Sequence, residues 1–309
     1  MVWHALATYR DTTGASRFAL ITEAAKYDLA SIAATSHAAG LQPLMEKGLP
    51  DAFGHWPQIS KTLAALAAEI AAGKEMAGKL PDAITLLQPF TPRNIYAAAS
   101  NYIEHANEMG TILAAKAESA PYVFMKAASS VIGPEQSIIL PAASTKVDWE
   151  VELAAVIGKR TKNVSKEQAL ASIAAYSIMN DVSARDLSKR TDYPFKFDWF
   201  RGKSFDTFGP FGPWLVPDHC VGDPQSLDLS LSVSGQIMQN DNTSRMIWSV
   251  AEQIAYLSSI LTLEPGDVIA TGTPDGVGMG RGQFLQPGDL VEAKIEKIGT
   301  LRNPVRASA

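Results

Sequence analysis

Glu150 and Glu152 stand one residue apart in the run Val147-Asp148-Trp149-Glu150-Val151-Glu152-Leu153. Successive side chains on a strand point to opposite faces, so an extended chain here puts both carboxylates on one face and Trp149, Val151 and Leu153 on the other. Asp181 follows the apolar run Ile173 to Asn180, whose burial would hold an emerging carboxylate in place. Brought together, three carboxylates with no histidine or thiolate among them favour magnesium, manganese or calcium over zinc or copper. On spacing alone, the commoner meaning of such residues is a solvated sheet face and a turn aspartate.

Other residues carry chemistry of a different kind. His105 and Glu108 are three apart, so one helical turn puts them on a common face where the carboxylate can orient the imidazole. Lys203 follows Gly202 and precedes Ser204, which resembles the end of a phosphate-binding loop, but Phe197 occupies the position where that loop requires its first glycine. Arg281 likewise breaks a dinucleotide-type glycine pattern in the stretch Gly276 to Gly282. Thr273 lies in a glycine-rich turn whose hydroxyl and backbone N–H groups suit a carboxylate ligand. Cys220 is the chain's one cysteine. The adjacent His219 and Cys220 are read as structural, because catalytic partners are usually joined by the fold and not by adjacency.

The surrounding pattern predicts a mixed, β-rich α+β protein. A hairpin is expected from Trp3 to about Leu29, turning at Asp11 to Gly14, followed by a helix with Pro57 in its first turn and Gly73 at its end. Ser165 with Gln168 and Ser249 with Glu252 match capping boxes, ahead of expected helical runs from Leu170 to Met179 and from Val250 to Leu261. Two proline-glycine turns, Glu264 to Asp267 and Gln286 to Asp289, each feed a β-branched strand. The proline-punctuated stretch Leu86 to Pro92 marks a boundary near residue 85, separating a small amino-terminal α/β domain (1–85) from a larger catalytic domain (86–309). With 309 residues, 46% of them hydrophobic, the chain can bury a sizeable core. A net charge of −5 without long charged blocks argues against nucleic acid or an anionic membrane as partner. No signal-like start and no apolar stretch long enough to span a bilayer is seen, so a cytoplasmic location is expected.

Five segments, in order, resemble the fumarylacetoacetate hydrolase superfamily. They are Asn101-Tyr102-Ile103-Glu104-His105-Ala106-Asn107-Glu108, Asp148 to Leu153, Asn180-Asp181-Val182-Ser183-Ala184-Arg185-Asp186, Gly202-Lys203-Ser204-Phe205-Asp206-Thr207, and Thr271-Gly272-Thr273-Pro274-Asp275-Gly276-Val277-Gly278. The resemblance runs from about Leu86 to Ile298 and implies a mixed β-sandwich roll with a small amino-terminal domain, commonly a homodimer. It implies that Glu150, Glu152 and Asp181 hold one divalent cation, most often Mg2+ or Mn2+, with Ca2+ possible. His105 and Glu108 then activate water or move a substrate proton, and Lys203 stabilises enolate charge. Tyr102, Arg185 and Thr273 are the expected substrate-binding residues, Arg185 having a bracing role beside Asp181 as its other reading. Fumarylacetoacetase itself has a further aspartate ligand where this chain has Asn101, and it is longer. The chain therefore resembles the shorter bacterial acylpyruvate hydrolase and 2-hydroxyhepta-2,4-diene-1,7-dioate isomerase-like branch.

The expected activity is hydrolysis of a carbon-carbon bond in an acylpyruvate or other 1,3-diketone or 2-oxo acid. Decarboxylation of an oxaloacetate-type substrate, or isomerisation or hydration of an unsaturated 2-oxo dicarboxylate in aromatic catabolism, would use the same groups, while a binding protein without catalysis would be expected to have lost some of them. Between the Asp181 and Lys203 segments, Arg190 to Trp199 reads as an insertion relative to the shortest relatives. Its alternating Tyr193, Phe195, Phe197 and Trp199 suit either an acyl pocket or packing against the sheet.

Overall fold

The computed structural model describes residues 2–34 and 39–308. The expected hairpin forms from β1 (His4–Arg10) and β2 (Ser16–Thr22), joined by a turn in which Asp11 accepts hydrogen bonds from the backbone of Thr13 and Ala15. β3 (Lys26–Asp28) extends it. The next strands are β4 (Ile95–Ala99), β5 (Tyr122–Lys126), β6 (Ile138–Leu140), β7 (Val151–Ile157), β8 (Ile173–Asn180) and β9 (Gly209–Pro217). They are followed by β10 (Asp228–Val233), β11 (Gln236–Asn242), β12 (Val268–Ala270), β13 (Leu290–Ile295) and β14 (Gly299–Ala307).

One large sheet runs in the order β3-β2-β1-β9-β8-β7-β12-β4-β5, and a second, five-stranded sheet in the order β11-β10-β13-β14-β6. β1 pairs with β9, with Leu6 opposite Leu215, so the amino-terminal hairpin extends the sheet that carries the carboxylates. The expected boundary near residue 85 falls where Thr85–Leu86 pairs back onto β1.

The alternation read from the sequence explains how β7 serves two cores. Val151, Leu153 and Ala155 pack with Leu229, Leu231 and Ala293 of the second sheet, while Ala154 and Val156 face the helix Trp56–Ala71, which buries Ile59, Leu63 and Leu66. By the same alternation, Glu150 and Glu152 continue this second face toward the start of the strand, where both are buried.

One expected element has a different form. The Ser165–Gln168 capping box is present, yet its helix spans only Lys166–Ala169 before a 3-10 turn at Leu170–Ser172, and Ile173–Asn180 is β8, not helix. Every residue of β8 is buried. Both its faces are covered, which removes the polar alternation that distinguishes a strand from a buried helix. The second capping box behaves as expected, opening the helix Val250–Ile260. Among the described residues, no helix is long and apolar enough to cross a membrane.

Candidate active site

The antiparallel pairing of β7 with β8 sets Val151 opposite Asn180 and so brings Glu150 beside Asp181. Glu150 lies just before the regular strand, and side-chain and backbone bonds take over from the ladder there. Its N–H donates to Asn180 Oδ1 at 2.9 Å, and its carbonyl accepts from the Asp181 N–H at 2.9 Å. Glu152 Oε2 accepts from the Gly272 N–H at 2.8 Å. That approach needs glycine: Gly272 has φ +97°, and a Cβ there would lie 2.6 Å from Asn101 Cβ. Carboxylate oxygens of Glu150, Glu152 and Asp181 all lie within 4.8 Å of one another, and all three residues are buried.

Three cations surround this floor. Lys203, at the end of the helix Trp199–Lys203, sets its ammonium 2.6 Å from both Glu150 Oε2 and Asp181 Oδ2. Its Nζ also lies 5.1 Å from the centre of the Phe124 ring. Lys126, from the end of β5, is 2.7 Å from Asp181 Oδ1 and donates to the carbonyls of Val182 and Lys203. Arg185 lies 2.7 Å from Asp148 Oδ2 and 2.6 Å from Glu150 Oε1. Asp148 also accepts from the N–H groups of Trp149, Gly278 and Met279, joining the floor strand to the glycine-rich loop.

This leaves four carboxylates (Asp148, Glu150, Glu152, Asp181) against three cations (Lys126, Arg185, Lys203), and the imbalance falls on Glu152. Its Oε1 is buried without a hydrogen-bond partner among the described residues. Burial, then repulsion from Asp181 and Glu150, drives the Glu152 carboxyl well above the usual carboxylate range. Burial would also raise Glu150, but Lys203 and Arg185 hold it at about 2. Burial lowers Lys126, whereas attraction from Asp181 and Glu150 outweighs burial at Lys203 and raises it. A divalent cation fits this donor set, which is oxygen-only, anionic and short of one positive partner.

His105 and Glu108 lie on the short helix Ile103–Glu108, with His105 Nδ1 3.0 Å from Glu108 Oε1. Glu108 in turn accepts from the N–H groups of Gly276, at 3.1 and 3.0 Å to its two oxygens, and Val277. With Nδ1–H donated to Glu108, His105 keeps Nε2 as the basic nitrogen. A cavity of about 680 Å³ is lined by His105, Glu108, Glu150, Glu152, Lys203 and Arg185, so the histidine pair and the carboxylate floor open onto one space.

The remaining expected residues are placed less directly. Thr273 also lines the cavity, but its hydroxyl donates to the Val151 carbonyl and accepts from Gln239 Nε2, each at 2.8 Å. Arg185 lines the cavity while engaging Asp148 and Glu150; the Asp181 carboxylate that it was expected to brace is paired instead by Lys126 and Lys203. Tyr102 is fully buried, and its side chain is not among those lining the cavity. Asn101 is committed to the backbone of Trp248 and Thr271, consistent with three and not four carboxylates on the floor. From the insertion, the half-buried Trp199 and the exposed Phe197 border the cavity, whereas the exposed Tyr193 and Phe195 do not.

Lys126, Asp148 and Gln239 belong to the site but were not picked out among its expected groups. Asp148 stands inside the matched strand, whereas Gln239 comes from β11 and reaches the Val151 N–H and Thr273 only through the fold. Lys126 had no local signal, because its partners lie 55 to 77 residues away.

Residues 94–306 match the family model of the fumarylacetoacetate (FAA) hydrolase C-terminal domain. The chain is 38% identical over 278 residues to a mitochondrial oxaloacetate tautomerase of Rattus norvegicus, covering 86% of each chain. It is 46% identical over 214 residues to a 2,4-didehydro-3-deoxy-L-rhamnonate hydrolase of a Sphingomonas species, covering 68% of this chain and 72% of that one. The structure of a maleylpyruvate hydrolase from a Sphingobium species, solved with manganese(II) and pyruvate, superposes with a TM-score of 0.74 at 26% identity, covering 99% of this chain and all of that one. The family match over residues 94–306 and the 38% identity over 86% of both chains show that the chain belongs to the fumarylacetoacetate hydrolase family.

Proposed function

We propose that this protein is a divalent-metal-dependent hydrolase that cleaves a carbon-carbon bond in an acylpyruvate or related 1,3-diketone. The observation that carries the reading is one cavity shared by an anionic floor with an unpartnered buried carboxylate oxygen and a histidine whose far nitrogen is left basic. Glu150, Glu152 and Asp181 would hold Mg2+ or Mn2+, which when bound supplies Lewis acidity toward the oxygens of the 2-oxo acid.

The chain's own groups account for the rest. His105 Nε2 takes a proton from water as the oxygen attacks the distal carbonyl, and Glu108 stabilises the imidazolium through Nδ1. Collapse breaks the bond between that carbonyl and the methylene carbon, releasing a carboxylic acid and leaving the electron pair on pyruvate as its enolate. Lys203, the cation closest to the floor on the aromatic side, offsets the developing negative charge. The imidazolium returns its proton to the methylene carbon, and pyruvate leaves. Phe197 and Trp199 give the acyl group an apolar wall.

The mitochondrial oxaloacetate tautomerase, similar over 86% of both chains, favours a second reading in which His105 only shuttles a proton between carbon and oxygen of a 2-oxo dicarboxylate. An acylpyruvate panel run with Mn2+ in 18O-labelled water separates the two. Hydrolysis puts one labelled oxygen into the released acid, whereas tautomerisation yields no fragments. An intact panel, together with enol-keto exchange of oxaloacetate, would replace the first reading with the second.

A further inference from the structure

The adjacent pair His219 and Cys220 gains a third member in the fold. Both lie in the helix Asp218–Val221, directly after β9, and His4 opens β1, the strand paired with β9. One ring nitrogen of each histidine and Cys220 Sγ lie within 4.8 Å of one another. His4 Nδ1 is 3.0 Å from the Val2 carbonyl and 3.4 Å from Cys220 Sγ, and the two imidazole centroids are 5.3 Å apart.

His4 is fully buried, and the Nε2 atoms of both histidines are shielded from solvent with no hydrogen-bond partner among the described residues. A buried imidazole nitrogen without a partner carries a desolvation cost that hydrogen bonding or coordination would remove. His219 Nδ1 is 3.6 Å from Asp218 Oδ1. A carboxylate or a backbone carbonyl behind one ring nitrogen is the arrangement that turns the other nitrogen toward a cation. We propose that His4, His219 and Cys220 form a second metal site, suited to a borderline cation such as Zn2+, which clamps the first strand to the end of β9.

The donor set is two imidazoles and one thiol, the opposite preference from the carboxylate floor. Donors around tetrahedral zinc stand roughly 3–4 Å apart, so the three side chains need only small movements to close. Binding replaces the thiol proton by the metal-sulfur bond and releases that proton to solvent.

Because Cys220 is the chain's one cysteine, a thiolate-to-cobalt charge-transfer band reports this site alone. The experiment is titration of the reduced, full-length protein with Co2+, followed by displacement with Zn2+. We expect the band to saturate at one equivalent bound at this site, to persist in Glu152→Gln, and to vanish in Cys220→Ser. His219→Ala should weaken Co2+ binding by more than the roughly tenfold that loss of an outer partner costs. Zn2+ should raise the Tm of Glu152→Gln but not of the double variant Glu152→Gln/Cys220→Ser. Absence of the band from folded, reduced wild-type protein, or a band indifferent to His219→Ala, would overturn the proposal.

Discussion

The two sides of the cavity are built by different means. The floor rests on β7 and β8, adjacent strands in the middle of the large sheet, and Glu150, Glu152 and Asp181 are each nearly inaccessible. The facing wall is a helix of six residues, Ile103–Glu108, followed by exposed chain in which Ile112 is 98% accessible. That helix is tied to the glycine-rich loop through the single side chain Glu108, and the exposed stretch is tied to the helix Val250–Ile260 through Lys116, 3.0 Å from Glu252 Oε2. Among the described residues, floor and wall share no backbone hydrogen bond, so damage to one should leave the other's task readable.

The floor gives the largest expected effect. Glu152→Gln should abolish metal-dependent turnover, a loss of about 10⁴-fold if the cation supplies several kcal/mol. The same change removes a buried carboxyl whose ionised form lacks a full set of partners. Because the raised Glu152 carboxyl opposes folding as pH rises past its ordinary value, the metal-free variant should melt about 2 °C above metal-free wild type at neutral pH. Calorimetry with and without chelator checks both halves, and a variant that melts lower than metal-free wild type would refute the uncompensated-charge account.

On the wall, His105→Ala should lower kcat by about 10³-fold while leaving metal affinity unchanged, as measured by turnover and by isothermal titration. An equal loss of metal affinity would mean that floor and wall are not separable. Glu108→Gln should cost about 10- to 100-fold in kcat, since it weakens the orientation of His105 without removing it.

The smallest effect concerns the outer fastening. Burial pushes the Glu252 carboxyl up, but its capping bonds from Ser249 and its pairing with Lys116 and Lys166 together outweigh burial and hold it at about 2. A depressed carboxyl contributes stability above its ordinary value near 4.5 and loses it as pH falls toward 2. Glu252→Gln should therefore lower Tm at pH 7 by a degree or two, for a contribution of about 1 kcal/mol or less. The gap to wild type should close on acidification, and a gap independent of pH would assign the loss to packing.

How much of this was legible in the sequence follows from the range of each interaction. Glu150 and Glu152 were readable because a strand fixes which side chains share a face, and His105 with Glu108 because a helical turn does the same. β8 was not, since an apolar run covered on both sides carries no period. Lys126 illustrates the harder limit: its role depends on Asp181 and the Lys203 carbonyl, and nothing within several residues of it records either. The aromatic insertion lay between these cases. Its alternation was visible, but only the fold decides that Trp199 is half-buried beside the cavity, that Phe197 borders the cavity while staying exposed, and that Tyr193 and Phe195 lie outside it.

Lys126, Arg185 and Lys203 also bear on the order in which the protein is assembled. Because resident side-chain cations already neutralise most of the floor, the sheet can close during biosynthesis without waiting for an ion from the cell. A cation bound as proposed would then be added to a finished scaffold. This is the reverse of a zinc finger, in which the ion is a condition of folding.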